Sequence, residues 1–280
     1  MMIMVAGGTG LAGRALTTRA VSAGHQVRVL SRRPAPAASG VEVVVGDLAT
    51  GSGLTSALDS VDAVIDLSNI VTRSYRIAER FFTAATRNLI AAEHAAGVSR
   101  HVLLSIVGVD AFPGGYYRAK VAQEQALAAA AGSASVQHII ARVTQFHDFA
   151  AQTYRSFRFG PAVLAPPLHL RPVHLDDVAD HLLRLLTSEQ RGRADDLAGP
   201  EPLNLLDMTR RYAKTQPRPV PVLALPLPPT IRRANEARVL APAGQTHGAR
   251  TFDHWLQQQR QTASSTNLRA GLPHQHVTRR

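Results

Sequence analysis

The chain begins its first element with MIMVAGGTGLAG (residues 2–13), an uncharged apolar run that breaks into a turn with glycines at 7, 10 and 13. Met2 to Ala6 is apolar at every position, the pattern of a strand covered on both faces. The glycines meet three separate needs. Gly7 permits a tight turn, Gly10 lets the backbone approach a pyrophosphate, and Gly13 lets the following helix pack closely on the strand. That helix offers unpaired N–H groups and the positive end of its dipole to the anion. A glycine triplet alone is a weak signal. Here it lies between the first strand and the first helix, which is the context a dinucleotide site needs, and Thr9 and Leu11 belong to the same loop.

The rest of the chain continues the alternation. Strands are predicted at QVRVL (26–30), VEVVV (41–45), DAVIDL (62–67), HVLLSI (101–106) and VQHIIA (136–141). Helices are predicted from Leu11, over about 76–96, over about 116–131 and over DDVADHLLRLL (176–186). Apolar strands separated by helices predict an α/β fold, a Rossmann-type doubly wound parallel sheet with a small C-terminal cap portion. Residues 1–257 are read as that unit, with cap segments mainly in 146–170 and 188–257 and further helices at 206–214, 229–239 and 250–259. Residues 258–280 are polar and aperiodic and read as a disordered basic tail.

Composition narrows the function classes. The chain has 280 residues, 45% of them hydrophobic, which is enough for one large core, and its lack of cysteine excludes disulfides and thiolate metal sites. The start has no leader-like pattern and no apolar run is long enough to span a membrane, so a soluble, cytoplasmic protein is expected. The formal charge of +11 suggests nucleic acid, but four of those charges (Arg260, Arg269, Arg279, Arg280) sit in the tail. The other arginines are scattered without aromatic interleaving, so a nucleic-acid partner is not expected. The cations comprise 29 Arg against two Lys, Lys120 and Lys214, which makes the placement of each lysine informative.

An NAD-preferring site carries an acid after its second strand, about 20 residues beyond the loop, for the ribose hydroxyls. This chain has Ser31, Arg32 and Arg33 there. Guanidinium groups attract and fork a 2′-phosphate, so NADP(H) is expected over NAD(H); solvated loop charge is the alternative reading.

The stretch GGYYRAK (114–120) holds two tyrosines ahead of a lysine, at the start of the helix after the strand that ends near Ser105. At helical spacing Tyr116 shares a face with Lys120, and Tyr117 does not. A carbonyl that receives hydride needs a proton on its oxygen, and a phenol with an ordinary pKa near 10 needs a neighbouring cation to serve near neutrality. Tyr116, Lys120 and Ser105 are therefore the candidate catalytic group, with Lys120 also placed to hold the nicotinamide ribose.

With SRRP, GDL (46–48), NLIAAEHAAGVSRHVLLSIVGVD (88–110), YYRAK and RPVHLDDVADHLLRLL (171–186), the chain resembles an atypical short-chain dehydrogenase/reductase of the NmrA-like kind over about residues 2–257. The resemblance implies a Rossmann fold with NAD(P)H at the strand ends. It implies Asp47 and Leu48 beside the adenine, Ser68 and Asn69 beside the ribose or phosphates, and Thr144 near the nicotinamide. Some members of the family reduce carbonyls or quinone-like compounds; others bind the dinucleotide as redox sensors or structural subunits. This chain departs from the pattern at two places: the asparagine that supports a proton relay in related dehydrogenases falls at Phe82, and the eleven-residue step from Ser105 to Tyr116 is slightly short.

Two function classes stay open, an NADP(H)-dependent oxidoreductase acting on a small apolar carbonyl or quinone-like molecule, and an NADP(H)-binding sensor that signals to a protein partner. A sugar-nucleotide epimerase is a third and weaker reading, because the region after the sheet is small and apolar. Phe146 and His147, after the sixth strand, are candidates for a substrate pocket. In HLDDVADH (174–181) the grouped His and Asp invite a metal reading, but an aspartate capping a core-facing helix explains them more simply, and no metal is expected. Oligomeric state is not legible.

Overall fold

The computed structural model describes residues 1–72, 74–131, 136–241 and 246–270. β1 (Met2–Ala6) leads through the glycine loop into α1 (Leu11–Ser22), followed by β2 (Gln26–Ser31), β3 (Val41–Val45), the one-turn α2 (Leu54–Ala57) and β4 (Ala63–Asp66). Then come α3 (Tyr75–Ala96), β5 (Arg100–Ile106), α4 (Gly115–Ala131) and β6 (Gln137–Val143). Every pairing among these strands is parallel, in the order β3-β2-β1-β4-β5-β6. The chain reverses direction across the sheet between β1 and β4, and the cleft opens beyond that point.

Side-chain alternation along β1 divides the interior. Ile3 and Val5 join Leu16 and Ala20 of α1 on one face, while Met4 and Ala6 face Leu54, Leu58, Ala85 and Leu89 on the other. This is the physical reason the strand is apolar at every position. Ser74 caps α3, accepting from the Ile77 N–H at 3.4 Å, and Gly97 ends it in a left-handed turn with φ of 72°.

The second half comprises α5 (Phe149–Ser156), β7 (Arg158–Phe159), β8 (Ala162–Ala165), β9 (His169–Leu170), α6 (Leu175–Thr187), β10 (Gly192–Arg193), β11 (Leu197–Ala198), β12 (Leu203–Asn204), α7 (Leu205–Ala213), β13 (Val222–Ala224), α8 (Pro229–Glu236), β14 (Thr246–His247) and α9 (Phe252–Ala270). α6 packs beside α1, and β10, β11 and β14 extend the main sheet beyond β6. Parts of 188–257 thus complete the sheet, although their short strands gave no periodicity to read. The cap has its own core, in which Tyr154, Leu170, Met208, Tyr212, Phe252 and Trp255 bury their side chains together.

Two further local readings change. Residues 258–270, read as tail, continue α9 in helical conformation, because their Gln, Ala, Leu and Arg are compatible with helix; 271–280 lie outside the described residues. The N-cap of α6 is His174 rather than an aspartate, its Nδ1 accepting from the Asp176 N–H at 3.1 Å. The aspartates instead gather arginines: Asp177 and Asp180 face Arg250, and Asp180 also pairs with Arg19. No helix among the described residues is long and apolar enough to cross a membrane.

Candidate functional site

A cleft of about 570 Å³ runs along the carboxyl ends of β1, β4, β5 and β6. Its floor is the glycine loop. Gly7 adopts φ of +76°, and a Cβ there would lie 2.6 Å from the Leu67 carbonyl oxygen. A Cβ on Gly13 would lie 2.4 Å from both the Gly7 oxygen and the Gly8 Cα. The loop is closed by the Gly10 N–H donating to the Gly7 oxygen at 3.0 Å. α1 then starts at Gly10 with no side-chain cap and no acid in its first turn, so its leading N–H groups face the cleft without a competing carboxylate.

The donors and the space fit a dinucleotide. Ser68 lines the cleft with its hydroxyl buried and unpartnered, the kind of orphaned group a bound ribose or phosphate oxygen satisfies. The register Ala6↔Leu30 and Ser31↔Val45 brings the ends of β2 and β3 beside Gly7. Ser31 donates to the Arg33 carbonyl at 2.7 Å, shaping the loop from which Arg32 and Arg33 project into solvent. Beyond them Asp47 accepts from the Ala49 N–H at 2.8 Å, and Leu48 is buried. Asn88 of α3 fastens this loop by donating to the Leu48 carbonyl at 2.8 Å and to Ala49 at 3.1 Å. Asn88 escaped the sequence reading because nothing local marks a helical asparagine as the brace of a loop 40 residues away.

At the other end Ser105, Tyr116 and Lys120 all line the same cleft, together with Thr144 and Phe146. Their mutual arrangement differs from the expected triad. The Tyr116 hydroxyl donates to Asn69 Oδ1 at 3.0 Å. Lys120 turns its ammonium inward, to the Leu104 carbonyl at 2.9 Å and Gln123 Oε1 at 2.6 Å. Burial pushes the phenol up to about 12, with the Asn69 bond pulling it partly back, so the expected lowering of Tyr116 by its lysine is not found in this arrangement. Burial also brings the Lys120 ammonium down to about 8, against the pull of Asp66 and Glu124.

Ser105 is likewise committed elsewhere. Its hydroxyl donates to Glu124, a buried carboxylate that the Arg142 guanidinium grips through two bonds of 2.9 and 2.6 Å. Thr144 donates its hydroxyl to the Arg171 carbonyl and its N–H to the Leu197 carbonyl at 3.0 Å. Both shifts have one cause: buried polar groups take the nearest strong partner, and here those partners come from α4 and from the segment before α6.

His147 is corrected outright as a pocket residue. It lies outside the cleft, fully buried among Phe252, Trp255 and His174. Burial holds it down to about 3, so the ring is neutral near neutrality and is not an imidazolium acid. The outer wall is formed instead by Tyr117, Gln145, Asp148, Phe149 and Gln152. Burial raises the Asp148 carboxyl, and one of its oxygens has no partner. Gln145 and Asp148 follow Thr144, which the resemblance alone had pointed to; Tyr117 was set aside because the cap, absent from a helical-wheel argument, folds over its side of α4.

A parallel sheet of this order with a glycine cradle and a Ser, Tyr and Lys at one cleft defines a dinucleotide-binding Rossmann protein of the short-chain dehydrogenase/reductase type. Residues 7–189 match the family model described as NAD(P)H-binding, and the chain belongs to that family. Among curated relatives it is similar to a 3-beta-hydroxysteroid dehydrogenase of Mycolicibacterium neoaurum, 36% identical over 113 residues, covering 36% of this chain and 30% of that protein. It is also similar to a photosystem II assembly factor of Synechocystis, 32% identical over 117 residues, covering 40% of this chain and 36% of that protein. The chain therefore aligns with only about a third of these relatives' lengths. A solved short-chain dehydrogenase/reductase superfamily protein of Agrobacterium tumefaciens with bound NAD superposes with a TM-score of 0.72 at 20% identity, covering 96% of this chain and 100% of that one. At that identity the likeness concerns the fold.

Proposed function

We propose that this protein is an NADP(H)-dependent oxidoreductase that reduces a small, largely apolar carbonyl or quinone-like substrate. The observation that carries the reading is that Tyr116, Lys120 and Ser105 line one continuous cleft with Gly7, Gly10, Gly13 and Ser68. The dinucleotide, when bound, supplies the hydride. Gly7, Gly10, Gly13 and the start of α1 hold its phosphates, with Thr9 and Leu11 in the same loop; Asp47 and Leu48 flank the adenine, and Ser68, Asn69 and Lys120 hold the ribose. Arg32 and Arg33, exposed and without an acidic partner among the described residues, are free to take a 2′-phosphate.

Tyr116 is the proton donor to the substrate oxygen. Its hydroxyl donates to Asn69, so a substrate oxygen has to replace the carboxamide as acceptor. Phe146, Phe149 and Tyr117 supply the apolar wall, and Gln145 and Gln152 supply polar contacts. Calorimetric titration with NADPH, NADP⁺, NADH and NAD⁺, followed by a carbonyl and quinone screen against a Tyr116→Phe control, tests this. Binding of no dinucleotide overturns it.

A second reading is favoured by the partners just described. With Ser105 given to Glu124 and Tyr116 to Asn69, the cleft binds without a ready proton donor. That suits an NADP(H)-binding sensor acting on a regulatory protein partner. Tight binding that distinguishes oxidised from reduced dinucleotide, with no turnover across the screen, selects this reading.

A further inference from the structure

Lys120 is one of only two lysines, and it is only 4% exposed. A buried ammonium without a counter-charge loses its proton, because desolvation penalises the charged form. On the α3 side the Phe82 ring centroid lies 5.0 Å from Nζ, a cation–π contact, and the same ring packs edge-on against Tyr116 at 6.1 Å. What holds the ammonium comes from elsewhere. Lys120 Nζ donates to Gln123 Oε1 at 2.6 Å, and Gln123 Nε2 donates to Asp66 Oδ2 at 3.2 Å. All three residues are buried, and Asp66 ends β4, just before Ser68.

The orientation of the Gln123 carboxamide follows from its neighbours. An ammonium only donates and a carboxylate only accepts, so oxygen faces the lysine and nitrogen faces the aspartate. The bridge thus passes the Asp66 charge to the lysine without bringing carboxylate and ammonium into contact. The other Asp66 oxygen accepts from the Ser68 N–H at 2.7 Å, linking the same aspartate to the backbone of the cleft.

We infer that Gln123 and Asp66 are positioning residues that keep the Lys120 ammonium charged and fixed in the cleft, where the α3 side presents the Phe82 ring. The function of that charge rests on the proposed reading of the cleft as a dinucleotide site; the geometry does not. The other groups around the lysine are accounted for. Glu124 on α4 adds negative charge but is neutralised by Arg142 of β6, Tyr116 donates to Asn69, and Ser105 of β5 donates to Glu124. Glu93 of α3 and His101 of β5 form their own buried pair at 2.8 Å, and Asp66 raises both of them.

The small lysine count makes a direct test practical. Protein grown with lysine labelled at Cε has two resonances, and Lys214→Arg identifies that of Lys120. Its titration is followed by NMR in the full chain, then in Gln123→Met and in Asp66→Asn, which keeps an oxygen for Ser68 while removing the charge. The wild-type signal is expected to titrate near 8. Both variants are expected to move it down by about one unit, the size of an opposite-charge effect at close range. If both variants fold, by near-ultraviolet circular dichroism, and the midpoint stays, the inference is overturned. Should Asp66→Asn fail to fold, the near-isosteric Gln123→Met decides alone.

Because the signal is read without substrate, it separates the two proposals. A shifted midpoint in a protein with no turnover leaves this inference standing and removes the oxidoreductase reading. Where turnover is found, its alkaline limb is expected to move to lower pH in both variants, with kcat recovering on acidification. A pH-independent loss of kcat points to a merely structural role and overturns the inference.

Discussion

The Tyr116 hydroxyl donates a 3.0 Å hydrogen bond to the Asn69 carboxamide oxygen, tying the first turn of α4 to the loop after β4. The proton that a reductase would deliver stays on Tyr116 and is aimed at a residue that lines the same cleft. Since burial has pushed the phenol up to about 12, the neutral donor form is the one present near neutrality. Donation, rather than proton abstraction, is what this tyrosine is set up to do.

Tyr116→Phe removes that proton and little else. Turnover is expected to fall by about 10²- to 10⁴-fold, the range of general acid catalysis, with dinucleotide affinity changed less than threefold, about 0.7 kcal/mol. Steady-state kinetics and calorimetry on the same preparation check this. An equal loss in both would make Tyr116 a binding residue.

Gly13→Ala tests the cradle. Its Cβ meets backbone atoms at 2.4 Å, and neither the Gly7 carbonyl nor the Gly8 Cα can swing aside as a side chain does. A stability loss of about 1–3 kcal/mol in urea unfolding is expected, with dinucleotide binding abolished. Unchanged binding would show that the pyrophosphate lies elsewhere.

Arg32→Ala combined with Arg33→Ala addresses cofactor choice. Charge-assisted hydrogen bonds contribute about 1.5–3 kcal/mol, so NADPH affinity is expected to drop by roughly 10- to 100-fold while NADH affinity holds. If both dinucleotides weaken together, the arginines act through general electrostatics and not through the 2′-phosphate.

Acid stability should follow the buried histidines. Burial lowers His138 to about 4, His147 to about 3 and His181 to about 4 in the folded protein. Unfolding releases them to their ordinary value near 6.5. Below that pH the unfolded chain binds more protons than the folded one, so stability is highest above about 6.5 and falls as pH drops toward 4. Each histidine contributes a slope of up to about 1.4 kcal/mol per pH unit. His147→Gln is expected to flatten the acid limb of urea-unfolding free energies measured from pH 7 to 4.5; an unaltered slope would mean that this ring is already charged or hydrated in the folded state.

The contrast between Gly13 and Ser105 shows where legibility ended. Gly13 is readable because its requirement is local: a turn, a strand and a helix within a dozen residues leave no room for a Cβ. Ser105 was placed correctly at a strand end and its neighbours were not, since Glu124 and Arg142 reach it from α4 and β6. Lys120 gives the same lesson. Helical spacing put it on the Tyr116 face, but the polar groups that draw its ammonium inward belong to β4, β5 and the next turn of α4.

By itself the sequence determined the parallel α/β sheet, the glycine cradle and the strand ends where chemistry collects, because strand and helix periodicity and steric demands act over a few neighbouring residues. Only the tertiary structure decided which hydroxyl is free and which ammonium is braced, why His147 belongs to the cap core, and that the Tyr116 hydroxyl donates to Asn69. Those outcomes depend on hydrogen-bond partners coming within about 3 Å from segments far apart in the chain. No pattern within one segment specifies which of them arrives first.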